Sequence, residues 1–417
     1  MKLLILSTSS FPLGYFEPLL VDQIDSLSKC YDKIIIIQPN SLNTSLKFEI
    51  PTNVEVIQIS SHLNSIQKIK GILWLTSKYV RDEIKSLIRT KEFSISHLKV
   101  LLNSFTLAMR SRKKIDSILS KTSTTNDKVY FRSYWCTEVT IGALLVKKKY
   151  SNFIVTTRMH AFDLYFERHN PNYLPYRNFI ISKIDKIFFI TAQGVQYFTN
   201  KFNIQSPNVL SKLVLNRLGV TKKNEEFKSV KNIPGKLIHL VSCSSIIELK
   251  RIQLIIETLS KIADLNIRWS HIGEGKLQNS IIELCKIKLE CKKNIEFSFL
   301  GFLPNSKVKE FYEGNQVDLF VNTSKYEGLP ISMMEAMSYG IPCIGTDVGG
   351  VSEIIDDNNG FLLPVDFDNQ LVDIIYDFYN LSIEKREELS ENAFKTWKTK
   401  FNGKSNFELL QVEMDNC

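Results

Sequence analysis

The chain has 417 residues, of which 44% are hydrophobic and 23% charged, and this composition excludes a disordered or collagen-like protein. A single hydrophobic core rarely grows beyond about 250–300 residues, so two domains are expected. The formal net charge of +9 favours an anionic partner, such as a phosphorylated ligand or an acidic membrane surface.

The N-terminal sequence MKLLILSTSSFP contains an apolar run that is too short for a signal peptide, and it predicts a first buried strand. No stretch reaches the roughly 18 uninterrupted apolar residues of a membrane-spanning helix. The seven scattered cysteines include no Cys-x-x-Cys pair, which indicates free thiols in a reducing compartment. We therefore expect a cytoplasmic protein.

Short apolar, β-branched runs alternate with helical segments along the whole chain, as in parallel sheets covered by helices. The predicted strands of the first half are Leu3–Ser7, Ile34–Gln38, Val54–Ile59, Val129–Arg132, Phe153–Thr157 and Ile187–Thr191. Those of the second half are Leu237–Ser242, Ile267–Ile272, Ile295–Leu300, Val317–Val321, Pro342–Gly345 and Gly360–Leu363. The pattern predicts an α/β fold of two doubly wound, Rossmann-like domains that face each other across a cleft, with ligands at the carboxyl ends of the strands.

A charged and poorly periodic stretch that contains TKKNEEFKSVKN separates the two halves. The boundary is placed there, which gives a first domain of residues 1–220 and a second of residues 221–395. Residues 396–417 are expected to form a C-terminal helix that packs back on the first domain.

The most informative segment is YEGLPISMMEAMSYG, residues 326–340, which predicts a loop followed by a helix. Pro330 fits the first helical turn, and Gly340 fits the position just after the helix end. The free N–H groups at a helix start suit an anion. Glu327 in the loop can point at a sugar, and Glu335 in the helix can accept hydrogen bonds from ribose hydroxyls. The alternative for Glu335 is a solvated helix residue.

The longer segment EGLPISMMEAMSYGIPCIGTDVGGVSEII resembles the signature of the large retaining GT-B glycosyltransferase family, group 1 (family four), which includes many bacterial polysaccharide transferases. This resemblance implies that Glu327 contacts the donor sugar and that Glu335 holds the nucleotide ribose. It also implies that the loop and helix start bind donor sugar and phosphate through Gly328, Leu329, Pro330, Ile331 and Ser332.

The segment LIHLVSCSSIIELKRIQLIIETL resembles the first strand and helix of the family's donor domain, and Lys250 matches its diphosphate-binding lysine. The family usually has an arginine about five residues earlier, where this chain has Ser245. Either Arg251 compensates for that arginine, or the diphosphate is held less strongly. The alternative is that Lys250 and Arg251 are ordinary surface charges.

Three further glycine-containing segments resemble parts of the donor site, although a tight turn is the simple alternative for the first two. WSHIGEGKLQNSI resembles a Gly-x-Gly turn, with Gly273 and Gly275. FSFLGFLPNSKVKEFY resembles the segment that contacts the base, with Gly301, Phe302 and Leu303. STSSFPLGYFEPLL resembles the loop that approaches the donor phosphates, although Gly14 is its only glycine and it is not a nicotinamide-binding Gly-x-Gly-x-x-Gly.

In the first domain, TRMHAFDLYFERHNPNYLPYRNFIISKIDKIFFIT resembles the acceptor domain of the same family. The resemblance implies that His160 lies near the reacting centre, where it could hydrogen-bond a donor-sugar hydroxyl. Asp163 follows at the family's spacing, and Arg158 could contact phosphate. A structural histidine is the alternative.

Residues Gln67–Lys114 carry 12 lysines and arginines against three acidic residues, with aliphatic side chains interleaved. They could form one or two amphipathic helices on an anionic bilayer. The alternative is a helix packed on the core with a solvated basic face. No nucleic-acid-binding module is present, so nucleic acid is not an expected partner.

The resulting hypothesis is a retaining glycosyltransferase that moves a sugar from a nucleotide-sugar donor to a glycan or lipid-linked acceptor. Its setting would be the biosynthesis of a surface polysaccharide, lipopolysaccharide or capsule, with a location in the cytoplasm or on the inner face of the membrane. Glu327, Lys250 and His160 are the expected catalytic residues, and the resemblance implies no cofactor and no essential metal. The alternatives are a nucleotide-sugar-binding subunit that has lost catalysis and a sugar-nucleotide epimerase.

Overall fold

The structure, a computed structural model, describes residues 1–14, 17–39, 46, 48–122, 127–227 and 237–417. The chain divides into two compact units: Met1–Asn216 together with Leu409–Cys417, and Arg217–Glu408. Each unit contains one parallel β-sheet with helices. The predicted α/β fold of two doubly wound domains is therefore confirmed.

The first unit is built on a seven-stranded parallel sheet with the order β3-β2-β1-β4-β5-β6-β7. Its strands are β1 (Lys2–Ser7), β2 (Lys33–Pro39), β3 (Val54–Ile59), β4 (Lys128–Ser133), β5 (Phe153–Met159), β6 (Lys186–Phe189) and β7 (Leu213–Leu215). Leu4 of the central strand β1 pairs with Ile34 on one side and with Tyr130 on the other. Such strands are buried on both faces and are therefore almost continuously apolar.

The helices of the first unit follow the strands. They are α1 (Pro18–Cys30), α2 (Ser65–Lys70), α3 (Lys78–Arg89), α4 (Ile95–Thr122), α5 (Glu138–Lys147), α6 (Ala161–Leu164), α7 (Arg177–Lys183), α8 (Ala192–Lys201) and α9 (Pro207–Leu210). The long helix α4 contributes Leu101, Phe105 and Ile115 to a core that also contains Phe131 of β4 and Phe153 of β5. One face of the sheet is thereby closed.

The second unit has a six-stranded parallel sheet with the order β10-β9-β8-β11-β12-β13. Its strands are β8 (Ile238–Cys243), β9 (Ile267–Ile272), β10 (Ile295–Phe299), β11 (Leu319–Asn322), β12 (Cys343–Thr346) and β13 (Gly360–Leu363). Its helices are α10 (Ile252–Lys261), α11 (Gln278–Leu289), α12 (Asn305–Gly314), α13 (Ile331–Ser338), α14 (Val351–Ile354), α15 (Gln370–Asn380) and α16 (Ile383–Thr396), and α17 (Gly403–Asp415) continues into the first unit.

Strand order reverses once in each sheet, between β1 and β4 in the first unit and between β8 and β11 in the second. At such a reversal the connections leave the sheet in opposite directions, and a crevice opens at the carboxyl ends of the two strands. The loops that follow β8 and β11 carry Lys250 and Glu327. Both loops therefore lie at the carboxyl ends of the two strands between which the order reverses.

All twelve predicted strands are present, with ends that differ by a few residues. The prediction lacks β7, a strand of only three residues that are all half-buried. It lies inside a stretch whose poor periodicity predicts an interdomain break. A strand this short carries too few apolar residues to give a pattern of its own.

The unit boundary differs from the expected one at both ends of the second unit. It begins at Arg217 rather than at residue 221, and residues 396–408 belong to it rather than to a separate C-terminal helix. Trp397 causes both differences, because its fully buried indole donates to the carbonyl of Val220 at 3.0 Å. A parallel bridge between Val220 and Asn402 continues this contact.

The last nine residues, Leu409–Cys417, belong to the first unit. Leu410 and Met414 are buried, and the Tyr31 hydroxyl donates to Gln411 Oε1 at 3.0 Å. Apolar and polar contacts thus fix the end of the chain on the first sheet. Among the described residues, no helix combines the length and the apolar character needed to cross a bilayer.

Substitution of Met414 by alanine should lower the free energy of unfolding by about 2–5 kcal/mol, because it leaves a cavity where a fully buried side chain stands. Urea unfolding measures this loss. Val412→Ala is the matched control, since Val412 is exposed in the same helix and its truncation should change stability by less than about 0.5 kcal/mol. Equal effects of the two variants would contradict the packing of this helix on the first unit.

Candidate active site

Lys250 and Glu327 meet directly in the second unit. Lys250 ends a 3₁₀ turn after β8, and Glu327 lies in the loop between β11 and α13. Lys250 Nζ lies 2.6 Å from Glu327 Oε1, and the two side chains are 21% and 10% exposed. The alternative that Lys250 is an ordinary surface charge is excluded by this partly buried pairing.

Two neighbours that the sequence did not single out orient the Glu327 carboxylate. Asn322 Nδ2 and Ser324 Oγ donate to the same Oε1 at 3.1 and 2.6 Å. The Ser324 amide in turn donates to Asn322 Oδ1 at 2.9 Å. Within the described part of the chain, no group donates to Oε2. The carboxylate is therefore held through one oxygen while the other can accept a hydrogen bond from a ligand.

Arg251 connects the loops rather than standing free beside Lys250. Its Nε donates to the carbonyl of Thr323 at 2.7 Å, Nη1 to that of Val365 at 2.8 Å, and Nη2 to that of Ser324 at 3.4 Å. Its backbone is left-handed, with φ at +50°. Of the two alternatives for the arginine that is missing at Ser245, these bonds disfavour compensation by Arg251, because its donors hold backbone carbonyls of the protein.

The Gly-Gly sequence at residues 349–350 fixes the loop that carries Glu327. The Gly350 amide donates to the Gly328 carbonyl at 2.7 Å. Gly349 has φ at +56°, and a Cβ at this position would lie 2.0 Å from the carbonyl oxygen of Glu327. Only a residue without a side chain allows this approach, so the glycine sets the position of the Glu327 backbone.

Helix α13 begins directly after this loop. Pro330 is the N-cap, and the helix runs from Ile331 to Ser338. The N–H groups of Ile331, Ser332 and Met333 have no acceptor within the helix, as at every helix start. Gly328, Leu329, Pro330, Ile331 and Ser332 thus form one continuous segment next to Glu327.

Glu335 lies in α13 and is only 5% exposed, which excludes the alternative of a solvated helix residue. Asn305 Nδ2 donates to its Oε1. Burial, and then the charge of Glu335, raises the pKa of the Cys243 thiol, while Lys250 lowers it. Both charges therefore lie close to the end of β8, where Cys243 stands.

Gly273 and Gly301 come together at the ends of β9 and β10. The Gly273 amide donates to the Gly301 carbonyl at 2.8 Å, and both glycines have positive φ. A Cβ on Gly273 would lie 2.0 Å from the Ser244 carbonyl oxygen, so this position requires glycine. Phe302 follows with its ring half exposed, and Leu303 comes next in the same loop.

An Asp-x-Asp sequence, Asp366 and Asp368, follows β13. Carboxylates at this spacing are potential ligands of hard divalent cations. Lys261 Nζ pairs with Asp368 at 2.9 Å on the surface, and Asp366 lies near Arg251. The independence of the protein from metal ions stays a prediction.

In the first unit, His160 ends the connection between β5 and α6. Its ring centroid lies 4.2 Å from that of Trp135 and 4.9 Å from that of Tyr134. Nε2 is buried and has no hydrogen-bond partner among the described residues. Burial, together with the positive charge of Arg158, lowers the pKa of His160 to about 3. The imidazole is therefore neutral near pH 7.

Asp163 accepts hydrogen bonds from the backbone amides of His160 and of Cys136, which follow neighbouring strands. Its Oδ1 accepts from the His160 amide at 2.6 Å and its Oδ2 from the Cys136 amide at 2.5 Å. Burial raises the pKa of Asp163 to about 6, against the effect of these amides and of Arg177. The carboxylate thus joins the ends of β4 and β5, which gives it a positioning role.

Arg158 is buried on β5, and its Nη2 donates to Asn216 Oδ1 at 2.5 Å. Arg132 on the neighbouring strand is buried as well, and burial lowers the pKa of both guanidinium groups. Arg132 Nη1 and Nη2 and Arg158 Nε have no partner within the described residues. The predicted phosphate contact of Arg158 stays a prediction.

Gly14 lies in a loop after β1 that is ordered by Glu17. The Glu17 carboxylate accepts from the amides of Ser9, Ser10 and Phe11 at 2.7 to 2.9 Å. It also accepts from Trp135 Nε1 at 2.9 Å, which fixes the ring that contacts His160. Glu17 is not among the predicted site residues, and its only sequence signal is a carboxylate beside a buried apolar run.

A pocket of about 210 Å³ lies at the carboxyl ends of β1 to β4 in the first unit. Hydroxyl and amide groups contribute much of its polar lining, and burial raises the pKa of its one carboxyl group, Glu138. Its polar residues are Ser7, Thr8, Ser9, Gln38, Ser60, Ser61, Ser111, Thr137 and Glu138, and Trp135 is also part of its wall. Apolar atoms make up most of the wall, and the hydroxyl and amide groups among them can exchange hydrogen bonds with an uncharged ligand.

Residues 223–396 match the protein family described as glycosyl transferases group 1. The match covers less than half of the 417-residue chain. The matched region contains Lys250, Glu327, Glu335 and the Gly349–Gly350 pair.

Two relatives found by sequence comparison are named as a synthase and a glycosyltransferase. The chain is 27% identical over 236 residues to the N-acetyl-alpha-D-glucosaminyl L-malate synthase of Bacillus anthracis, covering 54% of this chain and 58% of that one. It is 26% identical over 225 residues to the poly(ribitol-phosphate) alpha-N-acetylglucosaminyltransferase of Staphylococcus aureus, covering 52% and 42%. The chain thus spans about half of the length of these relatives.

Among solved structures, a protein from Anabaena in complex with UDP superposes with a TM-score of 0.66 at 15% identity, over 100% of both chains. At this identity the likeness shows the fold alone. The chain therefore has the GT-B type of fold, and its activity is a separate question.

Gly349→Ala should lower the free energy of unfolding by more than about 1 kcal/mol, because an alanine at positive φ is strained and its Cβ would strike the Glu327 carbonyl. The midpoint of urea unfolding measures the effect. Gly314→Ala is the matched control, since a Cβ there meets no atom within 4 Å. Equal midpoints for the two variants would contradict the close approach of Gly349 to the Glu327 carbonyl.

The pH dependence of stability should differ between the wild type and His160→Phe. The folded state holds His160 neutral down to about pH 3, whereas an unfolded histidine binds a proton below about pH 6.5. Stability from this group is therefore present above pH 6.5 and is lost as pH falls towards 3. The stability of the wild type relative to the variant should fall in that window, as measured by urea unfolding at several pH values. The raised pKa of Asp163 increases the stability of the folded state as the pH falls, but it does so in the wild type and in the variant alike. Identical pH slopes would contradict the buried, neutral histidine.

Proposed function

We propose that the chain transfers a sugar from a nucleotide diphosphate sugar to a glycan or lipid-linked acceptor in the biosynthesis of a cell-surface polysaccharide, with retention of configuration. The observation that carries the proposal is the Lys250–Glu327 pair, which lies where strand order reverses in a group 1 domain. Other relatives named as glycosyltransferases of O-antigen and teichuronic acid biosynthesis support the surface-polysaccharide setting.

Lys250 and the start of α13 are the proposed site of the donor's diphosphate. A lysine supplies a compact positive charge, and the free amides of Ile331 and Ser332 supply hydrogen-bond donors at the positive end of the helix dipole. When the bond between sugar and phosphate breaks, negative charge grows on the leaving diphosphate. Groups that are already in place stabilise this charge without reorganisation.

Glu327 is the proposed contact of the donor sugar. Lys250, Asn322 and Ser324 hold its Oε1, so Oε2 can accept a hydroxyl of the sugar in a fixed orientation. Glu335 is the proposed ribose contact, with Asn305 orienting its carboxylate. Gly273 and Gly301, and the loop through Phe302 and Leu303, are proposed to approach the nucleotide.

The acceptor is proposed to bind the first unit. The pocket at the ends of β1 to β4 has a volume of about 210 Å³ and offers hydroxyl groups and an aromatic wall, which suit a sugar ring. The neutral His160 has an unpartnered Nε2 that can exchange a hydrogen bond with a sugar hydroxyl. Retention of configuration rests on the resemblance of the paired-glutamate motif, and the same resemblance implies catalysis without a metal ion.

A cytoplasmic location is part of this proposal. All seven cysteines are free thiols, including the exposed Cys30, Cys291 and Cys417. Exposed thiols persist in a reducing compartment and tend to be oxidised outside it. The proposal therefore places the protein on the cytoplasmic side.

Thermal unfolding in the presence of nucleoside diphosphates and nucleotide sugars tests the donor site. A ligand at about 100 times its Kd should stabilise the protein by about 2.7 kcal/mol. One nucleotide series should raise the melting temperature of the wild type. Lys250→Ala and Glu335→Ala should lose most of that shift, because each removes a proposed donor contact.

Lys261→Ala is the matched control, since Lys261 also pairs with a carboxylate of the second unit but lies at the end of α10 on the surface. It should keep the full shift. If Lys250→Ala and Lys261→Ala lose the thermal shift equally, the proposed donor site is overturned. If no nucleotide raises the melting temperature of the wild type, the proposed function is overturned. NMR of the transferred sugar then decides retention or inversion, and Glu327→Gln should reduce transfer by about 10²-fold or more.

A further inference from the structure

An apolar stripe lies exposed on the surface of the first unit. It occupies α2 and the 3₁₀ turn Gly71–Thr76 that follows, twelve residues in all. The stripe consists of Ile66, Ile69, Ile72, Leu73 and Leu75, whose side chains are 37 to 70% exposed. Residues three apart lie above one another in a 3₁₀ helix, so Ile69, Ile72 and Leu75 share one side of this segment.

The opposite side of the segment is anchored to the protein. Arg110 of α4 donates to Gln67 Oε1 at 2.8 Å and to the Ser60 carbonyl at 2.6 Å. Gly71 packs against Thr106, and the Trp74 ring meets Phe105 edge-on with centroids 5.3 Å apart. The Asn64 side chain caps the helix start. The stripe is therefore presented by a segment that is already folded, which avoids an ordering cost on binding.

Positive charge accompanies the stripe. Lys68 and Lys70 are exposed on either side of Ile69, and Lys78 follows the 3₁₀ turn. From Ser61 to Arg81 the sequence contains no aspartate or glutamate. The segment thus combines exposed aliphatic side chains with an uncompensated positive charge.

The rest of the basic stretch 67–114 does not share this arrangement. Helix α3 buries Val80 and Leu87, and α4 buries Leu101, Phe105 and Ala108 in the core. These buried positions fit the alternative of a core-packed helix. Three other large apolar side chains of the stretch are exposed, Ile88, Phe93 and Ile95, at the end of α3 and the start of α4. The segment Ser65–Thr76 differs from them because it carries five exposed apolar side chains on α2 and the 3₁₀ turn that follows.

We propose that the apolar stripe docks the protein on an anionic lipid bilayer. Aliphatic side chains would enter the boundary between headgroups and acyl chains, and the lysines would meet the anionic headgroups. A protein partner fits less well, because interface cores are enriched in aromatic residues and depleted in lysine, whereas the stripe holds only isoleucine and leucine between lysines. Such docking would bring a lipid-linked acceptor close to the protein. This use of the docking rests on the proposed function, whereas the docking itself does not.

Flotation with vesicles tests the docking directly. The full-length wild type should float with vesicles of phosphatidylcholine mixed with phosphatidylglycerol, and less with phosphatidylcholine alone. The double variant Ile69→Ser/Leu73→Ser should lose at least about tenfold of its partitioning into mixed vesicles. The partitioning of Lys68→Gln/Lys70→Gln onto the anionic vesicles should fall about fivefold for each charge removed, and its partitioning onto phosphatidylcholine alone should not change.

Helix α11 offers a matched control in the same chain. Lys286, Ile287 and Lys288 repeat the sequence Lys-Ile-Lys of residues 68–70, and Ile287 is 70% exposed against 66% for Ile69, but Ile287 has no apolar stripe around it. Ile287→Ser and Lys286→Gln/Lys288→Gln should float like the wild type. Equal losses at both sites, or unchanged flotation of the stripe variants, would overturn the proposal.

Two further outcomes are informative. A wild type that forms dimers without vesicles, and monomers after Ile69→Ser/Leu73→Ser, would overturn the proposal in favour of an interface between two copies. Nucleotide-dependent thermal shifts should remain unchanged in the stripe variants, because the donor residues lie in the other unit. Loss of flotation with an intact shift therefore separates the docking from the proposed function.

Discussion

The candidate donor site depends on the hydrogen bonds that join the loop after β8 to the loop after β11. Arg251 holds the carbonyls of Thr323 and Ser324, Thr323 Oγ1 lies 3.0 Å from the carbonyls of Lys250 and Arg251, and the Lys325 amide donates to Leu249. Because these bonds link the backbones of the two loops, Lys250 and Glu327 are brought to 2.6 Å although 77 residues separate them. A charge pair between two mobile loops would be screened by water and would contribute little. The backbone bonds make the pair a fixed feature.

The close approach of Gly349 to the Glu327 carbonyl completes this arrangement from the other side of the loop. The loop is thus held by an arginine, a glycine and two polar side chains on the carboxylate. The remaining polar atoms at this place are Oε2 of Glu327, Nζ of Lys250 and the amides at the start of α13. An ammonium group and free amides can donate hydrogen bonds to a phosphate, and a carboxylate oxygen can accept one from a hydroxyl.

The first unit uses buried carboxylates for a comparable purpose. Glu17 orders the loop after β1, and Asp163 joins the ends of β4 and β5 through backbone amides. Both carboxylates are satisfied by amides, which accounts for their burial. The aromatic rings of Trp135 and Tyr134, set by these loops, keep His160 dry and neutral. Outside this region, the anchored face of α2 leaves its aliphatic side exposed, and the proposed docking on lipid rests on this exposed aliphatic side.

The sequence by itself determined the alternation of strands and helices, the two-domain α/β fold and the family resemblance, because strand burial and helix punctuation leave local patterns. It also brought out Glu327, Lys250 and Glu335, since they stand in one ordered motif. Only the tertiary structure decided strand order, the assignment of residues 396–408 to the second unit, and the roles of Arg251, Glu17, Asn322 and Asn305, because each depends on partners far apart in the chain. It also decided which part of the basic stretch packs inward, since spacing gives a helix its apolar side but not the neighbour that covers it.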